Sequence, residues 1–354
     1  SHSSKEMAAL LEQFSNADIA IIWISLLLEA LIGIIANGII LFLYLTTKPL
    51  RTPMNSLFIS LTIGDFTVCL CGTFVSFVYT VTKTIMGDVM CGAYGFITFL
   101  GGTADGVALT SIAIERYLTV ARPFGIGSLS YSRAGIWLGY TWTISLITAS
   151  LPLAGISKFT SEGPGFWCSI DWEVKNMAND IFVTFVFILN YFAPIVVIIL
   201  SYSVVVSKVK AVAKTGASES SVKAEKAVTR QAIAMVIGFL VAWSPYAFVC
   251  MTVTFTGVNP FGPKAALVPA IFSKCSFCYN PFIYVALNKQ FRKAFVDKFF
   301  GGKDPFAKEK EEEKDKNIDS SVGGTTVART EGVPTVSNNV DKGGPAGQNK
   351  VGPE

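Results

Sequence analysis

One lysine stands in the middle of an otherwise uncharged stretch: Lys274 in ALVPAIFSKCSFCYNPFIY, residues 266–284. An ammonium at the centre of an apolar run of membrane length costs roughly 2.5–3.5 kcal/mol on insertion scales, so it needs a partner or a purpose. Lysine offers a purpose: its amine loses a proton readily when desolvated, and the neutral amine condenses with an aldehyde to a Schiff base. Lys274 lies six residues before Asn280-Pro281, too deep in the run to snorkel to the headgroups. Two acids, Asp65 and Asp105, also fall inside apolar runs. Glu29 is a third, about two turns outward of Asn37, where it reads as an interfacial residue with no function.

Other chemistry is excluded by composition. The single histidine, His2, removes Ser-His-Asp, Cys-His and His-ligated metal catalysis, so the chain does not read as an enzyme. Five of the seven cysteines lie within apolar runs, where a thiol behaves as a small hydrophobe. Cys91 and Cys168 alone lie at the ends of such runs, and so form the natural disulfide candidate on the oxidising side of a membrane.

The elements that must position Lys274 are membrane spans. Of 354 residues 51% are hydrophobic and 15% charged, where soluble domains carry about 25% charged residues. Seven apolar segments are long enough to cross, near residues 19–47, 54–81, 89–121, 133–153, 178–206, 230–257 and 265–286. The reading is an all-α membrane protein, a seven-transmembrane helix bundle. Lysines and arginines are denser on the side that holds Lys48, Arg51, Arg116, Arg133 and Lys208 than on the side of Lys83, Lys158 and Lys264. That bias places the N-terminus outside and the C-terminus inside. Prolines 152, 194, 245, 269 and 281 mark expected kinks.

The division that follows is an extracellular N-terminus over 1–18 with no cleavable signal peptide, and a bundle over 19–286. A basic amphipathic cytoplasmic helix follows over 287–300, then a disordered cytoplasmic tail over 301–354. The tail carries Ser320, Ser321, Thr325, Thr326, Thr330, Thr335 and Ser337 as phosphorylation candidates for an arrestin-like partner and a receptor kinase. Lipid is the surrounding partner, nucleic acid is not expected, and the location is a plasma or photoreceptor membrane.

Short strings now line up in order: Gly33 to Asn37, LRTPMNSLFISLTIGD ending at Asp65, Cys91, Glu115-Arg116-Tyr117, Trp142, Pro194 with Tyr202, KAEKAVTR at 223–230, WSPY at 243–246 and NPFIY at 280–284. Together they resemble the rhodopsin-like G-protein-coupled receptors over about residues 19–300. Within that family LRTPMN, KAEKAVTR and the lysine six residues before NPxxY resemble the opsins. The resemblance implies a photoreceptor protein in which Lys274 carries retinal as a protonated Schiff base, 11-cis in the dark and all-trans after light. A buried cation of this kind needs a carboxylate nearby. The third-helix glutamate of vertebrate visual pigments is replaced here by Tyr94. Glu162, six residues before Cys168, matches the second-loop glutamate that serves as counterion in bistable opsins. By the same matching, the pocket comprises Tyr94, Gly95, Thr98, Gly102, Phe187, Asn190, Tyr191, Trp243 and Tyr246.

For transduction, the resemblance implies that Arg116 pairs with Glu115 and Glu225 in a resting latch between the third and sixth helices. Tyr202 and Tyr284 would swing inward, with Tyr117, Asn280 and Pro281 completing the machinery. Asn288-Lys289-Gln290 resembles the tripeptide of ciliary-type opsins and points to a heterotrimeric G protein of the Gi, Go and transducin group. Asp105 departs from the family pattern, which has a small neutral residue there. Close carboxylates in a low-dielectric site rarely both ionise, so Asp65 and Asp105 are expected to share a proton or bind a sodium ion, with Asn37, Ser276 and Asn280 completing the polar core. The alternatives are a retinal photoisomerase and a receptor for a diffusible ligand.

Overall fold

The computed structural model describes residues 11–121, 127–212, 214 and 219–305. His2 and the tail hydroxyls from Ser320 to Ser337 lie outside the described residues, as does the side chain of Glu225.

Several helices begin where a side chain accepts from the amides of the first turn. Ser15 and Asp18 form a capping box that starts α1, Asn16–Thr46. Thr52 accepts from the Asn55 backbone and Pro53 fills the first turn of α2, Pro53–Thr82. α3 spans Asp88–Ala121, and α4 spans Tyr131–Ser150 behind a Ser130 cap. Asn176 caps α5, Met177–Val212. α6 spans Glu219–Thr256. α7 runs as Gly262–Lys274 and Ser276–Leu287, broken at Cys275 directly after Lys274. Asn288 accepts from the Gln290 and Phe291 amides and starts α8, Lys289–Phe299.

This is the seven-helix membrane bundle with a short eighth helix. Five of the described helices, α1, α2, α3, α5 and α6, are apolar and long enough to cross a membrane by composition alone. α7 falls short on that measure because its break leaves pieces of 13 and 12 residues. Pro152 lies beyond the end of α4, so it marks a turn rather than the kink expected there.

α3 is the central post, packed against α2, α4, α5 and α6. Two helices carry a wide π-type turn, Cys69–Thr73 in α2 and Ile188–Phe192 in α5. Such turns insert one extra residue and re-aim the side chains around them; the one in α5 holds Asn190 and Tyr191.

Between α4 and α5 an antiparallel hairpin, β1 Phe159–Glu162 and β2 Trp167–Ile170, lies over the bundle. Its tight connection is Gly-Pro-Gly, with Gly163 at φ +56° and Gly165 at φ +86°, backbone that L side chains rarely adopt. The Cys91–Cys168 disulfide, with Cα atoms 5.4 Å apart, ties β2 to the start of α3.

Candidate functional site

Beneath the hairpin lies a cavity with about 140 Å³ open to the centres of water-sized atoms, so the space swept by whole atoms is larger. α3 supplies Tyr94, Gly95, Thr98 and Gly102, α5 supplies Phe187, Asn190 and Tyr191, and α6 supplies Trp243 and Tyr246. Glu162 forms part of the roof, and Lys274 enters from α7. Every pocket residue expected from the sequence therefore lines one space.

Two glycines of α3 allow close packing around this space. A Cβ on Gly95 would stand 2.4 Å from the Phe159 ring, and one on Gly102 would stand 3.2 Å from Trp243. A slot walled by flat rings and glycines, with one lysine and one carboxylate, fits a long polyene aldehyde better than a polar ligand. The residues present fit retinal.

Lys274 Nζ lies 3.5 Å from the Tyr94 hydroxyl, at the outer limit of a hydrogen bond. That hydroxyl is itself 2.7 Å from Ser76 Oγ. On the other side Nζ stands 5.6 Å from the Trp167 ring centroid, within cation–π range. Glu162 Oε1 accepts from the Tyr246 hydroxyl at 2.9 Å, and Oε2 accepts from Trp167 Nε1 at 2.9 Å. Trp172 Nε1 donates to the Tyr246 hydroxyl at 3.2 Å, which extends the chain to the loop before α5. Burial raises the Glu162 carboxyl above the ordinary carboxylate range, opposed by the charge of Lys274 and by its hydrogen bonds. No ion pair joins Lys274 and Glu162 directly among the described residues; the Trp167 indole touches both.

The family model of the 7 transmembrane receptor (rhodopsin family) matches residues 36–284. Green-sensitive opsin-4 of Danio rerio is 37% identical over 279 residues, covering 77% of this chain and 80% of the relative. Rhodopsin of Diplodus annularis is 34% identical over 315 residues, covering 88% and 86%. This chain belongs to the opsins. The crystal structure of squid rhodopsin superposes with a TM-score of 0.75 at 30% identity, covering 87% of this opsin and 93% of that chain. Opsins are membrane receptors that act on heterotrimeric G proteins, not enzymes.

Deeper in this opsin, Asp65 and Asp105 are both buried, on α2 and α3, which pack against each other. Asp65 Oδ2 accepts from Asn280 Nδ2 at 2.8 Å, while Asn37 Nδ2 donates to the Gly33 and Phe277 carbonyls. Among the described residues, Asp65 Oδ1, Asp105 Oδ1, Asn37 Oδ1 and Ser276 Oγ have no hydrogen-bond partner. Glu29 is half-buried where α1 packs on α7, and the Cys275 thiol donates to its Oε1 at 3.3 Å.

At the other end, Glu115 is fully buried and faces α4. It accepts from Arg133 Nε at 3.0 Å, Trp137 Nε1 at 2.8 Å and Thr119 Oγ1 at 2.8 Å. Arg116 reaches α6 by donating to Thr229 Oγ1 at 3.4 Å. Tyr284 is already buried, donating to the Phe58 carbonyl at 3.1 Å and stacked 5.6 Å from Phe291 of α8. The Tyr202 hydroxyl is buried with no hydrogen-bond partner among the described residues. Lys289 and Gln290 are exposed, whereas Asn288 is occupied with capping α8.

Sequence reasoning missed Trp167, Trp172, Arg133 and Trp137. For Trp167 a signal existed: Gly-Pro-Gly one residue after Glu162 marks a tight hairpin, and the register then sets Trp167 opposite Glu162.

Proposed function

We propose that this opsin is a light receptor in which Lys274 carries the chromophore, Glu162 is its counterion, and the G protein activated is of the Gi or Go class. Bound to Lys274 Nζ as a protonated Schiff base, 11-cis-retinal supplies a light-driven isomerisation to the all-trans form. The observation that carries the reading is a lone lysine entering an aromatic cavity roofed by a hydrogen-bonded carboxylate.

Glu162 balances the buried positive charge from the loop, while Tyr94 offers only a neutral hydroxyl on α3. A counterion on the hairpin supports a pigment that keeps its proton after light and is driven back by a second photon. Trp243 and Tyr246 face the cavity within two residues of Pro245, so a change of shape in the cavity levers α6. At its cytoplasmic end α6 meets Arg116 through Thr229, the latch that must open for a G protein to enter. The N-terminus lies outside and the tail inside, where kinase and arrestin act.

The test is nucleotide exchange on purified Go, Gi and Gq in darkness and light. Exchange on Go or Gi only in light, abolished in Lys274→Ala, supports the reading. Equal exchange on Gq overturns the class, and exchange indifferent to light overturns the receptor function.

A further inference from the structure

Trp167 is fully buried behind the roof of the cavity, between the two charges that the function uses. Three independent constraints fix it there. The antiparallel register sets it opposite Glu162. The next residue, Cys168, is tied to α3 by the disulfide. The hairpin turn is also seated on α7, since a Cβ on Gly163 would stand 2.3 Å from Leu267 Cδ2, two turns before Lys274. An indole so clamped loses little entropy in holding its neighbours.

We propose that Trp167 is a positioning residue that couples Lys274 to Glu162, its Nε1–H orienting the carboxylate while its ring face holds the cation. The proposal rests on the roles assigned to Lys274 and Glu162 above. The geometry separates the two contributions: Nε1 donates to Glu162 Oε2 at 2.9 Å, and the ring centroid lies 5.6 Å from Lys274 Nζ. No carboxylate oxygen pairs directly with Nζ among the described residues, and the ring face of Trp167 lies within cation–π range of it. The other titratable groups around the pair are Tyr94 on α3, Tyr246 and Cys250 on α6, Cys275 on α7 and Glu29 on α1. None of these joins the two charges as the indole does.

The chemistry predicts two separable effects. Replacing the indole by fluorinated tryptophans keeps its size and its N–H but weakens the ring's negative face. The alkaline midpoint at which the visible band is lost should fall stepwise with each added fluorine, by about one pH unit in total, roughly tenfold in the proton-dissociation constant. Trp167→Phe keeps a ring and loses the N–H, so the acid-side transition of Glu162 should move upward while the alkaline midpoint moves less.

A measurement on the apoprotein stands apart from the pigment. In a thermal double-mutant cycle of Lys274→Met with Trp167→Leu, the coupling should be equivalent to about twofold to thirtyfold in the unfolding constant. Zero coupling there, or fluorinated variants that titrate as wild type, overturns the proposal. If wild type forms no visible band, the assignment of the chromophore fails instead, and the apoprotein cycle still decides whether Trp167 holds Lys274.

Discussion

Tyr246 of α6 donates its hydroxyl to Glu162 Oε1 at 2.9 Å, which ties the helix that must move to the loop carboxylate that balances the buried charge. Any outward swing of α6 therefore costs Glu162 one of its hydrogen bonds, and any change at Glu162 is felt on α6. Hydrogen bonds to a charged acceptor contribute about 1.5–3 kcal/mol. In Tyr246→Phe the acid-side spectral transition of Glu162 is expected to rise by about one pH unit or more. A pH titration of absorbance checks this, and an unchanged transition would show that the hydroxyl does not hold the carboxylate.

The apoprotein should also depend on pH through Glu162. Burial raises its carboxyl above the ordinary carboxylate range, so the native state still holds the proton at pH values where the unfolded chain has released it. Stability from this group is then full at low pH and is lost as pH rises through the folded-state value. Melting temperatures of wild type should fall more steeply than those of Glu162→Gln as pH rises above about 4.5. Parallel curves would contradict the burial of an ionisable Glu162.

Glu115 is anchored to α4 by Arg133, whose side chain is 21% exposed while Glu115 is at 0%. Arg133→Gln leaves a buried carboxylate with Trp137 and Thr119 as donors but no neutralising charge from α4. A loss of about 1–3 kcal/mol is expected, less than for a fully buried pair because Arg133 is partly wet. Thermal unfolding in detergent reads it, and a loss below about 0.5 kcal/mol would place the pair among ordinary surface bridges.

Asp65 and Asp105 are proposed to share one proton. A carboxylic-acid C=O stretch should then shift in the light-minus-dark infrared spectrum of wild type and disappear in Asp105→Asn. A difference spectrum without such a band would remove the shared-proton account.

Much of this was legible in the sequence because it rests on periodicity and cost. A charge inside an apolar run announces itself, and so do seven runs of span length; the lysine, the pocket residues and the bundle follow from those signals and from ordered family strings. The partners of Glu115 were not legible, because Arg133 and Trp137 reach it across 18 and 22 residues, and only α3–α4 packing brings them together. The contact of Glu29 was not legible for a similar reason: position along α1 gives depth, whereas rotation about the helix axis, which sets it against Cys275 and Cys278, depends on packing. Trp167 lay between the two. Its hairpin could be read from Gly-Pro-Gly, but its contact with Lys274 depends on how the hairpin seats on α7.

The central claim is that Lys274 bears the chromophore and Glu162 keeps it charged. The measurement that tests it most directly is the absorption spectrum of the purified protein with 11-cis-retinal, before and after illumination, for wild type, Lys274→Ala and Glu162→Gln. The account predicts a visible band in wild type, none in Lys274→Ala, and an ultraviolet band at neutral pH in Glu162→Gln. A visible band that survives in Lys274→Ala, or one in Glu162→Gln identical to wild type, would contradict it.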